Sequence, residues 1–163
     1  MQRTPRPLHG KFVESSKAAW PAADSRDEAF VMALTYHIHP ERALVVVTRS
    51  ERVGAEAWEA FLSALVGDPA YARGYAILED RRALRELPTR SEVERASRWI
   101  QDHGVVLGAT RWAIVVSEAS PAAFGMARVR EALTSGTQVQ VRAFTDYDAA
   151  LAWATEAGAG RPV

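Results

Sequence analysis

Cysteine is absent from the 163-residue chain. That excludes disulfides, a thiolate nucleophile and any zinc site built on cysteine. Lysine is nearly absent. The only two, Lys11 and Lys17, lie in the first 31 residues, and the chain from Met32 onward carries fifteen arginines and no lysine. Net charge is missing as well: 20 basic and 20 acidic residues balance to zero. No broad attraction to nucleic acid or to an acidic membrane surface follows from such a balance. No apolar run approaches the ~20 residues of a membrane span. The opening stretch lacks the apolar centre of a secretory signal, so the chain reads as cytoplasmic. Catalytic signatures are missing too. There is no G-x-S-x-G, no P-loop, no H-E-x-x-H and no Rossmann glycine run. No catalytic residue, metal or cofactor is assigned.

What is present is an ordinary globular composition. Apolar residues make up 48% and charged residues 25%, and the length fits one domain with a sizeable core. The head holds Pro5, Pro7 and Pro21 with little periodicity. Residues 1–31 read as a disordered arm, or as an upstream extension if translation starts at Met32. A domain over 32–158 and a short disordered tail over 159–163 complete the division.

The apolar pattern gives the elements. "LTYHIH" (34–39) alternates and predicts a strand with one wet face. "ALVVVTR" (43–49) is apolar on both faces and predicts a central strand, joined to the first through "PERA" as an antiparallel hairpin. "VGAEAWEAFLSALVGDP" predicts a helix with Trp58, Phe61, Leu62 and Leu65 on one stripe. Strands are predicted at 74–80, 111–117 and 138–144. Helices are predicted after Thr89, after Ser120-Pro121 and after Thr145 or Asp146, with Thr89 and Glu92 as a capping box. The order ββαβαβαβα implies right-handed crossovers and one mixed, mostly parallel five-stranded α/β sheet. The first and last strands, each polar on one face, fit its edges.

Three stretches together resemble the bacterial SpoIIAA-like proteins of the STAS superfamily. They are "YHIHPERALVVVTRSERVGAEAWEAFLSALVGDPAYARGYAILEDRRAL", "FGMARVREAL" and "VRAFTDYDAALAWA", and the likeness spans about Leu34 to Glu156. The resemblance implies a SpoIIAA-like (βα) superhelix and no established activity. The better-known relatives bind a kinase-like partner. They are switched by phosphate on a Ser or Thr where the helix after the third strand begins. Related folds carry lipids. At that helix start this chain has "LPTRSEVE" rather than a D-S-S-G-L run. Only Thr89 and Ser91 stand where the phospho-site would, and no glycine follows them.

The candidate sites are therefore few. Thr89 and Ser91 are phosphate candidates, with Thr89 as a plain helix cap in the alternative. Asp80, Arg81 and Arg82 end the third strand, where parallel sheets bind ligands; they recognise an anionic group or pair among themselves. His37 and His39 share a strand face but are too few to hold a metal. Trp99 and Trp153 fall off the apolar stripes of their helices; each marks an interface or packs as a shoulder. In "FGMARVREAL", Met126 falls on an apolar stripe with Ala122, Val129 and Leu133 within roughly 60° of it, and Phe124 lands about 160° away. Either Gly125 turns the backbone so that Phe124 packs inward, or Phe124 stands outward beside Arg128 as a cation–π pair. Phe124, Gly125, Met126 and Arg128 with Asp80 and Arg81 form the expected partner or ligand surface. The functional expectation is a non-enzymatic module that binds a protein partner or a second copy of itself. The alternative is a carrier or sensor of a small apolar, lipid-like ligand between the sheet and the helix from Pro121.

Overall fold

The computed structural model describes residues 33–156. The arm over 1–31, its two lysines and the tail over 159–163 lie outside the described residues.

Five strands form one sheet in the spatial order of the sequence: β1 (Leu34–His39), β2 (Leu44–Arg49), β3 (Ala76–Asp80), β4 (Thr110–Val115) and β5 (Val139–Phe144). β1 runs antiparallel to β2 in the register Leu34↔Arg49 to His39↔Leu44, and every other pair is parallel. The hairpin turn is a short 3₁₀ segment, Pro40–Arg42. It closes through Ala43, whose φ of 49° is left-handed. The expected sheet, its one antiparallel strand and its two edges are all observed.

Five helices follow: α1 (Ala55–Gly67), α2 (Arg90–Asp102), a single turn α3 (Gly104–Leu107), α4 (Pro121–Leu133) and α5 (Tyr147–Thr155). Each parallel strand is laid beside its predecessor on the same side. Right-handed crossovers then keep all the connecting helices on one face. The packing agrees: α1, α2 and α4 build the larger core with the Val45, Val47, Ile77, Trp112 and Ile114 side of the sheet. Among the described residues, only α5 covers the other face, over Leu44, Ala76, Leu78, Ala113 and Val115. β1 carries its polar residues outward on that second face, and His37 is exposed.

Local chemistry starts the helices as the sequence implied. Gly54 caps α1, and Trp58, Phe61, Leu62 and Leu65 are its buried stripe. The Thr89 hydroxyl accepts from the Glu92 amide at 3.3 Å, and the Glu92 carboxylate accepts from the Thr89 amide at 2.7 Å. That is a complete capping box, and it satisfies two donors that the first turn of α2 leaves open. Gly108 returns the chain to β4 with a φ of 77°. A Cβ there would lie 2.6 Å from Arg73 Cγ, so position and space both demand glycine.

α4 departs from expectation. The helix is unbroken through Gly125, and a Cβ added there meets nothing within 4 Å. The residues that face the sheet are Ala123, Phe124, Ala127 and Arg130. Met126 is only half-buried, Ala122 is exposed and Leu133 is 39% exposed. The apolar stripe centred on Met126 is therefore not the core face. The helix is turned so that Arg130 goes inward to a buried carboxylate, and that pairing outweighs the burial of Met126 and Leu133. Phe124 packs inward without any break at Gly125. Arg128 does not pair with it, because Arg128 is held by Glu131 three residues on. Glu131 in turn accepts from the Ala143 amide of β5 at 3.1 Å.

The two off-stripe tryptophans are shoulders. Trp99 is buried and stacks on His103 with ring centroids 4.0 Å apart. Trp153 lies against Phe144, with the Arg111 guanidinium 5.3 Å from its ring.

Candidate functional site

The carboxyl ends of β2 and β3 carry the unusual chemistry of the chain. Side chains alternate along a strand, so Val45, Val47 and Arg49 share one face, as do Ile77, Glu79 and Arg81. That face lies under α1, α2 and α4. Four charged residues are consequently inside the protein: Glu79 at 0% exposure, Arg130 at 2%, Arg49 at 3% and Arg81 at 4%.

Glu79 is the hub. Arg81 Nε donates to its Oε1 at 2.6 Å. Arg130 Nη1 and the Trp112 indole N–H both donate to its Oε2, each at 3.1 Å. Burial pushes the Glu79 carboxyl up, but the guanidiniums of Arg81, Arg130 and Arg49 outweigh it and hold the group at about 2. Burial lowers Arg130, and repulsion by Arg81 adds to it, bringing the guanidinium to about 9. The same two causes lower Arg49 to about 10. Arg49 has no carboxylate within bonding reach among the described residues. Its Nε and Nη2 reach the carbonyls of Glu51 and Val53 at 3.3 and 3.4 Å, and its guanidinium lies 5.2 Å from the Trp58 ring.

A surface cleft of about 520 Å³ opens at the same end of the strands. Its walls are the two loops that continue directly from the buried arginines: Ser50, Glu51 and Arg52 after β2, and Ala83, Arg85 and Glu86 after β3. Arg52 ties these loops to α2. It donates to Glu86 Oε1 at 2.8 Å and to both oxygens of Glu92, the capping-box acid. Glu92 is held low first by its bond from Arg52 and then by the Thr89 backbone and hydroxyl. Thr89 and Ser91 stand exposed at this helix start, their hydroxyls 3.1 Å apart.

The expected site residues are thus partly gathered and partly scattered. Thr89, Ser91 and Arg81 lie at the carboxyl edge of the sheet. Asp80 and Arg81 do not form one anion-binding group. They point to opposite faces, Arg81 to Glu79 inside and Asp80 to Arg82 on the outer face at 2.7 Å. The intramolecular pairing is the one observed. Phe124, Gly125, Met126 and Arg128 belong to α4, where Phe124 packs against the core and Arg128 is held by Glu131. Where a small apolar ligand was expected, between the sheet and α4, the space holds Arg130, Glu79 and Trp112. His39 lies 3.6 Å from Glu41, and no group of three or more His, Asp or Glu able to hold a metal occurs among the described residues.

Arg49, Glu79 and Arg130 are absent from the sequence-derived sites. Arg130 was hidden because a polar residue on an amphipathic helix is read as outward. Glu79 and Arg49 carried a usable signal: the strict alternation of β2 and β3 places each on the side of Val47 and Ile77.

No family model matches the chain, and no curated protein matches it. Among solved structures it is similar to an uncharacterised protein of the DUF3478 family with a SpoIIAA-like fold from Shewanella loihica PV-4. The TM-score is 0.51 at 17% identity, and the match covers 75% of this chain and 92% of that one. The chain therefore has a SpoIIAA-like fold, as the sequence motifs implied.

Proposed function

We propose that this SpoIIAA-like domain is a non-enzymatic, cytoplasmic binding module. It engages a protein partner at the carboxyl edge of its sheet. The observation that supports this is the cleft between the loops after β2 and β3. It is open, lined by both signs of charge and held in shape by Arg52 bridging Glu86 and Glu92. Alternating charge on a fixed rim gives a protein surface register and selectivity rather than raw affinity. Such a lining gives an apolar ligand little to hold, so this edge favours the partner over the carrier.

Regulation by phosphate fits Ser91 better than Thr89. The Thr89 hydroxyl already accepts from the Glu92 amide, and a dianion there would face the Glu92 carboxylate. Ser91 is exposed in the first turn of α2, near the positive end of the helix.

The test is site-specific photo-cross-linking of the full chain in its own host, from position 85 and, as a control, from position 128 on α4. A discrete adduct at 85 and none at 128 is the expected result. Adducts at 128 alone, or at neither position, would reject the docking edge. Mass mapping of the same protein is expected to find phosphate on Ser91. Its absence from both hydroxyls under every growth condition removes the regulatory part.

A further inference from the structure

The hub is out of electrical balance. Three guanidiniums and one carboxylate are buried together. Among the described residues, two positive charges therefore have no buried negative counterpart, in surroundings where charge is costly to leave unpaired. The hydrogen bonds are out of balance in the same sense. Four buried side-chain polar atoms among the described residues lack a partner: Trp58 Nε1, Arg81 Nη2, Arg130 Nε and the Tyr71 hydroxyl. The first three belong to this hub, and all three are N–H donors. Trp58 is held in it by Arg49 at 5.2 Å and Arg130 at 5.6 Å from its ring.

What is missing is therefore an acceptor, and a negative one. A water molecule supplies the acceptor and not the charge. A small anion supplies both, since a monatomic anion accepts from several N–H donors at once. The counter-argument is Glu79, which repels a second anion. Its oxygens are already engaged by Arg81 Nε, Arg130 Nη1 and Trp112, and the donors left over are on different nitrogens. The net charge of the four residues remains positive. Every one of these groups is shut from solvent among packed tryptophans, so the guest must be small.

We propose that Arg81 Nη2, Arg130 Nε and Trp58 Nε1 hold a halide-sized inorganic anion, chloride under physiological conditions, inside the carboxyl edge of the sheet. Arg49 and Arg130 are lowered first by burial and then by the neighbouring Arg81 guanidinium, and the second of these causes accords with like charges crowded together. The inference is independent of the docking reading, which concerns the cleft outside.

The experiment is thermal unfolding of the full chain at pH 7 and constant ionic strength, exchanging sodium gluconate for sodium chloride. The expected result is a rise in Tm of about 2–4 °C that follows a saturable binding curve. A linear, non-saturating response is a general salt effect and overturns the proposal, as does no response. Crystals grown in bromide are expected to show an anomalous peak between the three named nitrogens; a water there in bromide overturns it. The W58F variant keeps an aromatic ring, though a smaller one, and removes one donor. It is expected to raise the half-saturating chloride concentration about threefold to tenfold. An unchanged value overturns the placement.

Discussion

At the scale of single residues, Glu79 is the position with the most to lose. Replacing it by glutamine keeps the shape and removes the one negative charge among three buried guanidiniums. E79Q is expected to lower stability by about 3–5 kcal/mol, the usual result of breaking a buried pair from one side. Urea unfolding measures it, and a loss under about 1 kcal/mol would show that the charge is not needed there. Gly125 is the opposite case. It lies exposed inside a regular helix, where glycine has only its entropy cost to contribute. G125A is expected to raise stability by about 0.5–1 kcal/mol, read from the same titration. A decrease would mean that the helix is not regular at that point. These two residues also mark what single-residue reading can see. Gly125 stood out as an irregularity in the sequence and is structurally plain. Glu79 in "AILED" reads in the sequence only as one of two adjacent acids, Glu79 and Asp80, that face opposite sides of a strand and so cannot work as a paired acid and base. Strand alternation places it on the inner face, and its partners there lie 2, 33 and 51 positions away.

Whole elements were far more legible than sites. Strand alternation and helix caps are written in neighbouring residues, so the order, the hairpin and the capping box at Thr89 could be read directly. The rotation of α4 could not, since its wheel is ambiguous. Ala123 and Ala127 offer the sheet little apolar surface, and the stripe through Met126 and Leu133 has the larger residues. The balance is tipped by Glu79, which lies on another element. For α2, the local reading gives a measurable expectation. T89A removes the hydroxyl that accepts from Glu92 and is expected to cost about 1 kcal/mol. S91A, which leaves the box intact, is expected to unfold within about 0.5 kcal/mol of the parent protein. Equal losses in both variants would assign the stabilisation to the hydroxyl pair instead of the cap.

Taken as a whole, the molecule has its acid response set by carboxylates held low. Glu79 is brought down to about 2, and Glu59 and Glu92 are lowered by Arg95 and Arg52. A carboxylate held low in the folded state binds fewer protons there than in the unfolded chain. Stability from these groups is therefore complete above the ordinary carboxylate range. It is lost as pH falls from about 4.5 towards 2. Urea midpoints measured across that interval are expected to drop steadily, and a flat profile would contradict the pairing at Glu79. The strand order carries a last consequence, one of timing. Because β1 to β5 lie side by side in the order they are made, each strand emerging from the ribosome finds its neighbour already present. The hub does not share that convenience. Arg81 is two residues from Glu79, Trp112 is 33 away and Arg130 is 51 away. The growing chain thus lays down a carboxylate with one partner and completes its set only when α4 has been translated.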